Sequence, residues 1–211
     1  MTDNIPVTRG GLDQVDVVIV AGGAGTRLGG ASKPDLVVGG ESLLDRTLGA
    51  VDGAHGVVIV GGPRRDGVAW TLEEPPGGGP AAAIAAGLAA LAAARAPAKW
   101  TLALAVDIPH VARALPLLVA ALHQLESAHR AHGAWIVDAE GREQSLLAIY
   151  RTEALAERAH GTSAGASMRT LVAGLVMTAV QDPDGASRDL DTWDDATFFA
   201  EQGLPEERSN D

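Results

Sequence analysis

The sequence predicts an α/β protein, a single-domain three-layer α/β/α Rossmann-like fold with a mostly parallel sheet. Three observations carry this expectation. Apolar, β-branched runs alternate along the chain with helical stretches. The runs are continuous rather than alternating, as strands buried on both faces are. No repeat or low-complexity linker divides the 211 residues, a length suited to one core. The expected strands are Val15–Ala21, Gly56–Val60, Val68–Leu72, Trp100–Val106, Ala134–Val137, Ser145–Tyr150 and Leu175–Val180. Helices are expected at Leu43–Val51, Pro80–Ala96, Ala112–Ala131, Thr152–His160, Ser167–Gly174 and Asp194–Glu201. Ala139-Glu140-Gly141 reads as a turn, which allows one antiparallel pair. The domain is expected over residues 15–202, with an N-terminal extension at 1–14 and a frayed tail at 203–211.

The first strand ends on the most informative segment. Val17-Val18-Ile19-Val20 stops at a glycine loop, AGGAGTRLGGASK, spanning Ala21 to Lys33. Glycine lets backbone N–H groups approach a ligand without a Cβ in the way and form an anion-binding nest. Arg27 and Lys33 add side-chain cations, so the segment suits a triphosphate. A Walker A loop needs Ser or Thr after its lysine, and Lys33 is followed by Pro34. The dinucleotide fingerprint fails too, because its third glycine falls on Leu28.

Ligands of such sheets bind at the carboxyl ends of the strands, and the remaining polar motifs follow strands. Glu73 opens EEPPGGGPAAA, in which Pro80 suits the first turn of a helix and the alanines allow close packing on the sheet. The glycines read either as a flexible loop or as an edge that hydrogen-bonds a nucleobase. The strand Leu102–Val106 delivers Asp107, a carboxylate that wants solvent, a helix to cap or a cation. Beside a triphosphate loop, Mg²⁺ is the better partner, since it takes one or two carboxylates plus phosphate oxygens. Near the end, Asp194 and Asp195 read as an N-terminal cluster of the last helix, and Asp191 is the candidate second metal carboxylate.

Other features read as structural. His123, His129 and His132, with Glu126, read as a solvated helix face, and Trp100 and Trp193 as packing residues. Arg64-Arg65 reads equally as a polar loop or a phosphate contact. With no cysteine, disulfides, thiolate metal sites and a cysteine nucleophile are excluded. The net charge of −11 argues against nucleic acid as a partner but not against a nucleotide, which needs only local cations. Neither an export signal nor a membrane span is visible, so a cytoplasmic place is expected.

The loop AGGAGTRLGGASK resembles the signature of nucleotidyltransferases of the nucleotide-diphosphosugar transferase type. With GGGPAAA, Asp107-x-Pro109, GREQSLLAIY and LDTWDD in order, the chain from Val15 to Glu201 resembles the molybdenum cofactor guanylyltransferase family. That resemblance implies transfer of GMP from GTP to molybdopterin, with Mg²⁺ and release of pyrophosphate. It also implies transient contact with other cofactor-biosynthesis proteins. The implied nucleotide-binding residues are Ala21, Gly22, Gly23, Gly25, Thr26, Arg27 and Lys33 for the phosphates, and Gly78, Gly79 and Pro80 for guanine. Asp107 joins them through the metal. Arg27, Lys33 and Asp107 are the implied catalytic residues, with Asp107 and Asp191 on Mg²⁺. The family usually closes with N-x-N-T-P, where this chain has Asp189-Leu190-Asp191-Thr192-Trp193, and often has Cys where Val106 stands. A cytidylyltransferase on a related small acceptor and a non-catalytic nucleotide-binding relative are the competing expectations.

Overall fold

The structure is a computed structural model that describes residues 11–22, 32–127 and 130–201. Along the chain it begins with β1 (Val15–Val20), a single 3₁₀ turn (Lys33–Asp35) and a small ribbon, β2 (Val37–Val38) with β3 (Glu41–Ser42). Then come α1 (Leu43–Ala50), β4 (Gly56–Val60), β5 (Ala69–Thr71), α2 (Pro80–Ala94), β6 (Trp100–Ala105) and α3 (Val111–Ser127). The last part contains β7 (Gly133–Val137), β8 (Glu143–Arg151), α4 (Thr152–Ala159), α5 (Met168–Leu171), β9 (Met177–Gln181) and α6 (Trp193–Glu201).

Seven strands form one sheet in the order β5-β4-β1-β6-β8-β7-β9. Among them β8 alone runs against both neighbours, and all other pairings are parallel. The expected single antiparallel pair is therefore two, because β8 returns from β7 and inserts between it and β6. The turn that reverses the chain is held by Asp138, whose carboxylate accepts from the backbone N–H of Glu140 and Arg142 at 3.0 and 2.8 Å.

Both faces of the sheet are covered, as the continuous apolar runs require. Along β1, Val15, Val17 and Ile19 face the layer that holds α1, α3 and Phe199 of α6. Val18 faces the opposite layer, with α2, α4 and α5. Gly87 of α2 sits directly over Val18, and a Cβ there would collide with that valine, so the alanine-rich helix lies close on the sheet. Among the described residues no helix is long and apolar enough to cross a membrane.

The strand order reverses between β1 and β6, since β1 leads outward to β4 and β6 lies on its other side. At such a point the loops leaving the two strands diverge and open a crevice. Here the strand ends are held together: Val106 N donates to Val20 O at 3.2 Å, and Ala21 N and Gly22 N both donate to Val60 O.

Candidate active site

A cavity of about 440 Å³ opens at that crevice. Of the expected nucleotide-binding residues, Ala21, Gly22, Lys33, Gly79, Pro80 and Asp107 all line it. Gly78 does not. Its N–H donates to Pro75 O at 3.0 Å and its carbonyl accepts from Gly165 N at 2.8 Å, which fixes the loop between Gly77 and Gly79. Those two glycines lie at φ 76° and 87°, in the region that L side chains avoid, which explains why glycine recurs here. Gly23, Gly25, Thr26 and Arg27 lie outside the described residues.

Three groups from distant parts of the chain converge at the mouth of the cavity. Lys33 Nζ donates to Asp107 Oδ2 at 2.8 Å and to Asp191 Oδ1 at 2.6 Å. Asp107 is carried by the end of β6, and Leu190 N donates to its backbone carbonyl at 2.8 Å. That bond docks the closing segment on the strand end and presents Asp191 beside Asp107. The Lys33 backbone is set by a 3₁₀ turn with buried Pro34 at its start. Burial works against the Lys33 ammonium, but hydrogen bonds to Asp107 and Asp191 outweigh it and raise its pKa above the ordinary value. A third carboxylate, Asp189, is pushed upward by burial and then by the charges of Asp191 and Asp107.

Glu73, two residues past β5, also lines this cavity and was not among the expected site residues. It is only 8% exposed. Its Oε1 accepts from Gly77 N at 3.0 Å, and its Oε2 is buried with no partner among the described residues. The signal was available in the sequence, since Glu73 follows a strand end just as Asp107 does, at the foot of the glycine turn.

A second cavity, of about 370 Å³, draws on the same two segments of chain, with His110 three residues past Asp107 and Asp189 two before Asp191. Asp189, His110 and Ser187 line it; His110 Nε2 is buried without a partner among the described residues, while Ser187 N donates to Asp182 Oδ2 at 2.7 Å. The arginines on its wall are partly spent. Arg188 pairs with Asp195 at 2.7 Å and Arg142 with Asp138 at 2.8 Å, while Arg113 has no ion pair among the described residues.

The remaining candidates fall elsewhere. Arg65 is tied to Asp45 at 2.6 Å and Arg64 stacks over Trp70, and neither lines the cavity at the glycine loop. His132 is not on a helix: α3 ends at Ser127, and His132 Nδ1 accepts from Val176 N beside β7. His129 lies outside the described residues. Trp100 is buried as expected, but Trp193 is 55% exposed. The helix register set at Thr192 turns Phe199 inward instead.

A family model described as a MobA-like NTP transferase domain matches residues 17–179. The chain belongs to that family. This MobA-like chain is 33% identical over 149 residues to a protein of Nitrobacter hamburgensis named molybdenum cofactor guanylyltransferase. The match covers 66% of each, so it spans just under two thirds of that relative's length. In fold it is similar to molybdopterin-guanine dinucleotide biosynthesis protein A of Archaeoglobus fulgidus, with TM-score 0.68 and 19% identity over 89% of this chain and 97% of that one. It is also similar to 2-C-methyl-D-erythritol 4-phosphate cytidylyltransferase of Thermus thermophilus, with TM-score 0.59 and 20% identity over 88% and 96%. The MobA-like chain thus carries an NTP transferase domain over residues 17–179.

Proposed function

We propose that this protein transfers GMP from GTP to a molybdopterin-type acceptor, in the presence of Mg²⁺, with release of pyrophosphate. The observation that carries the reading is the convergence of Lys33, Asp107 and Asp191 at the mouth of a cavity whose inner end holds Glu73. The unpartnered Oε2 supports guanine as the base. A carboxylate can accept from the ring N–H and the amino group that guanine presents side by side, whereas cytosine and adenine offer no such N–H pair. An acceptor-only group left unsatisfied by the wrong base costs binding, which makes it a discriminating contact.

The donor set fits the implied metal. Asp107 and Asp191 are hard oxygen ligands already aimed at one point, which Lys33 now holds. Among the described residues no group of three or more His, Asp or Glu forms a ready cage. That suits an ion held by one or two carboxylates and completed by substrate phosphates. When bound, Mg²⁺ supplies charge neutralisation and orientation of the phosphates.

The chain's own groups perform the rest. The glycine loop that follows Gly22, with the Lys33 and Arg27 side chains, holds the triphosphate, and Pro80 and Gly79 border the base. An oxygen of the acceptor's phosphate attacks the α-phosphorus in line. The bond to the α,β-bridging oxygen breaks, and its electron pair leaves with pyrophosphate. Lys33 and Arg27 stabilise the charge that grows on the leaving group. A phosphate monoester is already ionised near neutral pH, so no general base is required. The second cavity gives the acceptor a seat at the closing segment, where His110 Nε2 offers an unspent hydrogen bond.

Pyrophosphate release with GTP, CTP, UTP and ATP, each with and without molybdopterin, tests the reading. Release that requires both GTP and the acceptor supports it. A preference for CTP would replace it with a cytidylyltransferase, and binding without release would leave a non-catalytic relative.

A further inference from the structure

We infer that Gly165 is a positioning residue for selection of the nucleobase, although it lines neither cavity. Its N–H fixes the glycine turn at residues 77–79 and, through that turn, the Glu73 carboxylate. The inference rests on the reading in which Glu73 and this turn border the base.

The turn needs a hold from outside. Three consecutive glycines lose more backbone freedom on ordering than any other residues would. Its own bonds are local: Gly77 N donates to Glu73 Oε1, Gly78 N to Pro75 O and Ala83 N to Gly79 O, each at 3.0 Å. They shape the turn and seat it on α2, but each begins and ends within residues 73–83. The bond from Gly165 N to Gly78 O, at 2.8 Å, comes from beyond α4. It keeps Gly78 out of the cavity that Gly77 and Gly79 line on either side of it.

Gly165 is shaped for that bond. It lies at φ 83°, which L side chains rarely adopt, yet a Cβ there would meet nothing within 4 Å. What glycine supplies at this position is therefore the direction of its N–H, not space. The segment that carries it is anchored in turn. Ala166 N donates to Ser163 O at 3.1 Å, and Ser167 Oγ accepts from Thr170 N at 3.1 Å to start α5. Met168 and Leu171 of α5 are buried in the cluster that holds Ile84, Leu88 and Leu91 of α2. The two loops also touch, since a Cβ on Gly79 would stand 3.5 Å from Ala166 O. Brace and turn thus share one helix as their base, and a shift of the brace moves Glu73 against the nucleobase. A carboxylate discriminates between bases only while its oxygens stay within hydrogen-bond reach of the base edge.

The test compares G165A, G165N and G161A with wild type in the full chain. G165A adds one methyl in open space but strains the backbone that aims the N–H. Asn tolerates positive φ better, so G165N should lose less. Gly161 is the matched control: it too lies at φ 83° with nothing within 4 Å of a Cβ, and it lacks the bond to Gly78. Two quantities are read, hydrogen–deuterium exchange of residues 73–82 and the ratio of Kd values for ATP and GTP. In G165A the Gly77 and Gly78 amides should exchange about three- to tenfold faster, the worth of one hydrogen bond. The preference for GTP should fall by about the same factor, with G165N between and G161A like wild type. Should G165A not fold, G165N decides by the same two readings. Unchanged exchange, or faster exchange with an unchanged preference, overturns the inference, and so does an equal loss of preference in G161A. A wild type that prefers CTP overturns the guanine reading instead, and exchange together with the CTP preference then decides what Gly165 does.

Discussion

The two cavities at the carboxyl edge of the sheet are built on opposite plans. The first is walled by small and apolar residues, among them Ala21, Gly22, Gly77 and Gly79, which leave backbone exposed, with only Lys33, Glu73 and Asp107 charged. The second is made of side chains, with His110, Arg113, Arg188 and Asp189 on a wall that includes Phe198 and Phe199. Backbone walls suit a ligand common to a whole fold, because N–H and C=O groups survive sequence change. Side-chain walls suit a ligand that differs from one branch to the next. In our reading the first plan serves the nucleotide and the second the acceptor, so substitutions in the two places should fail in different ways.

The largest effect should come from the shared wall. D107N should lower kcat by roughly 10²–10³-fold or more, with a melting temperature near that of wild type, because it removes a group needed only at the charged transition state. Turnover like that of wild type would remove Asp107 from the metal site. Losses at Lys33, Asp107 and Asp191 should not add, since the three act on one point. Next in size is the base contact. E73Q replaces an acceptor-only group with an amide that must present a donor. It should reduce the preference for GTP over ATP and CTP by roughly 10–100-fold, measured as the ratio of kcat/KM values. An unchanged ratio would mean that guanine is read by backbone alone.

The acceptor side should respond more gently and only in KM. S187A removes a buried hydroxyl beside the Asp182 carboxylate, which Ser187 N also holds at 2.7 Å. Losing that hydroxyl should cost the fold no more than one hydrogen bond, about 1 kcal/mol. The acceptor KM should still rise by roughly three- to tenfold, the worth of one hydrogen bond, with KM for GTP unchanged. A fall in stability with no change in KM would make Ser187 a structural residue and weaken the contrast between the cavities.

How much of this was legible in the sequence follows from the same contrast. β1 and β6 read clearly because both faces of each are buried, and Lys33 and Asp107 stand in motifs tied to those strands. Glu73 was legible by the argument that singled out Asp107, since it too follows a strand end. The second cavity was not legible. Its residues run from His110 to Phe199, and what unites them is the insertion of β8 between β6 and β7, which no local pattern announces. Helix ends misled as well. The sequence carries helical composition past Ser127 to Ala131, yet His132 already belongs with β7, where Val176 N bonds its ring. Trp193 looked like a core residue by type, but the cap at Thr192 decides which face of α6 turns inward.

That cap supplies the smallest effect and links the two cavities. Thr192 and Asp195 form a capping box: Thr192 N donates to the Asp195 carboxylate at 2.9 Å, and Asp195 N to the Thr192 hydroxyl at 3.2 Å. The same carboxylate accepts from Arg188 at 2.7 Å on the second cavity and from Asp191 N at 3.2 Å beside the first. The Thr192 hydroxyl, then Arg188, lower the Asp195 pKa to about 2. A carboxyl depressed on folding contributes stability that is complete above its unfolded value near 3.8 and is lost as pH falls toward 2. D195A should therefore cost about 1 kcal/mol at neutral pH, the usual worth of a cap. The gap between the two melting curves should close between about pH 5 and pH 2. A gap of constant size down to pH 2 would show that packing, not charge, holds the closing segment. In that case the bond from Leu190 N to the Asp107 carbonyl would matter more than Asp195 in placing Asp191.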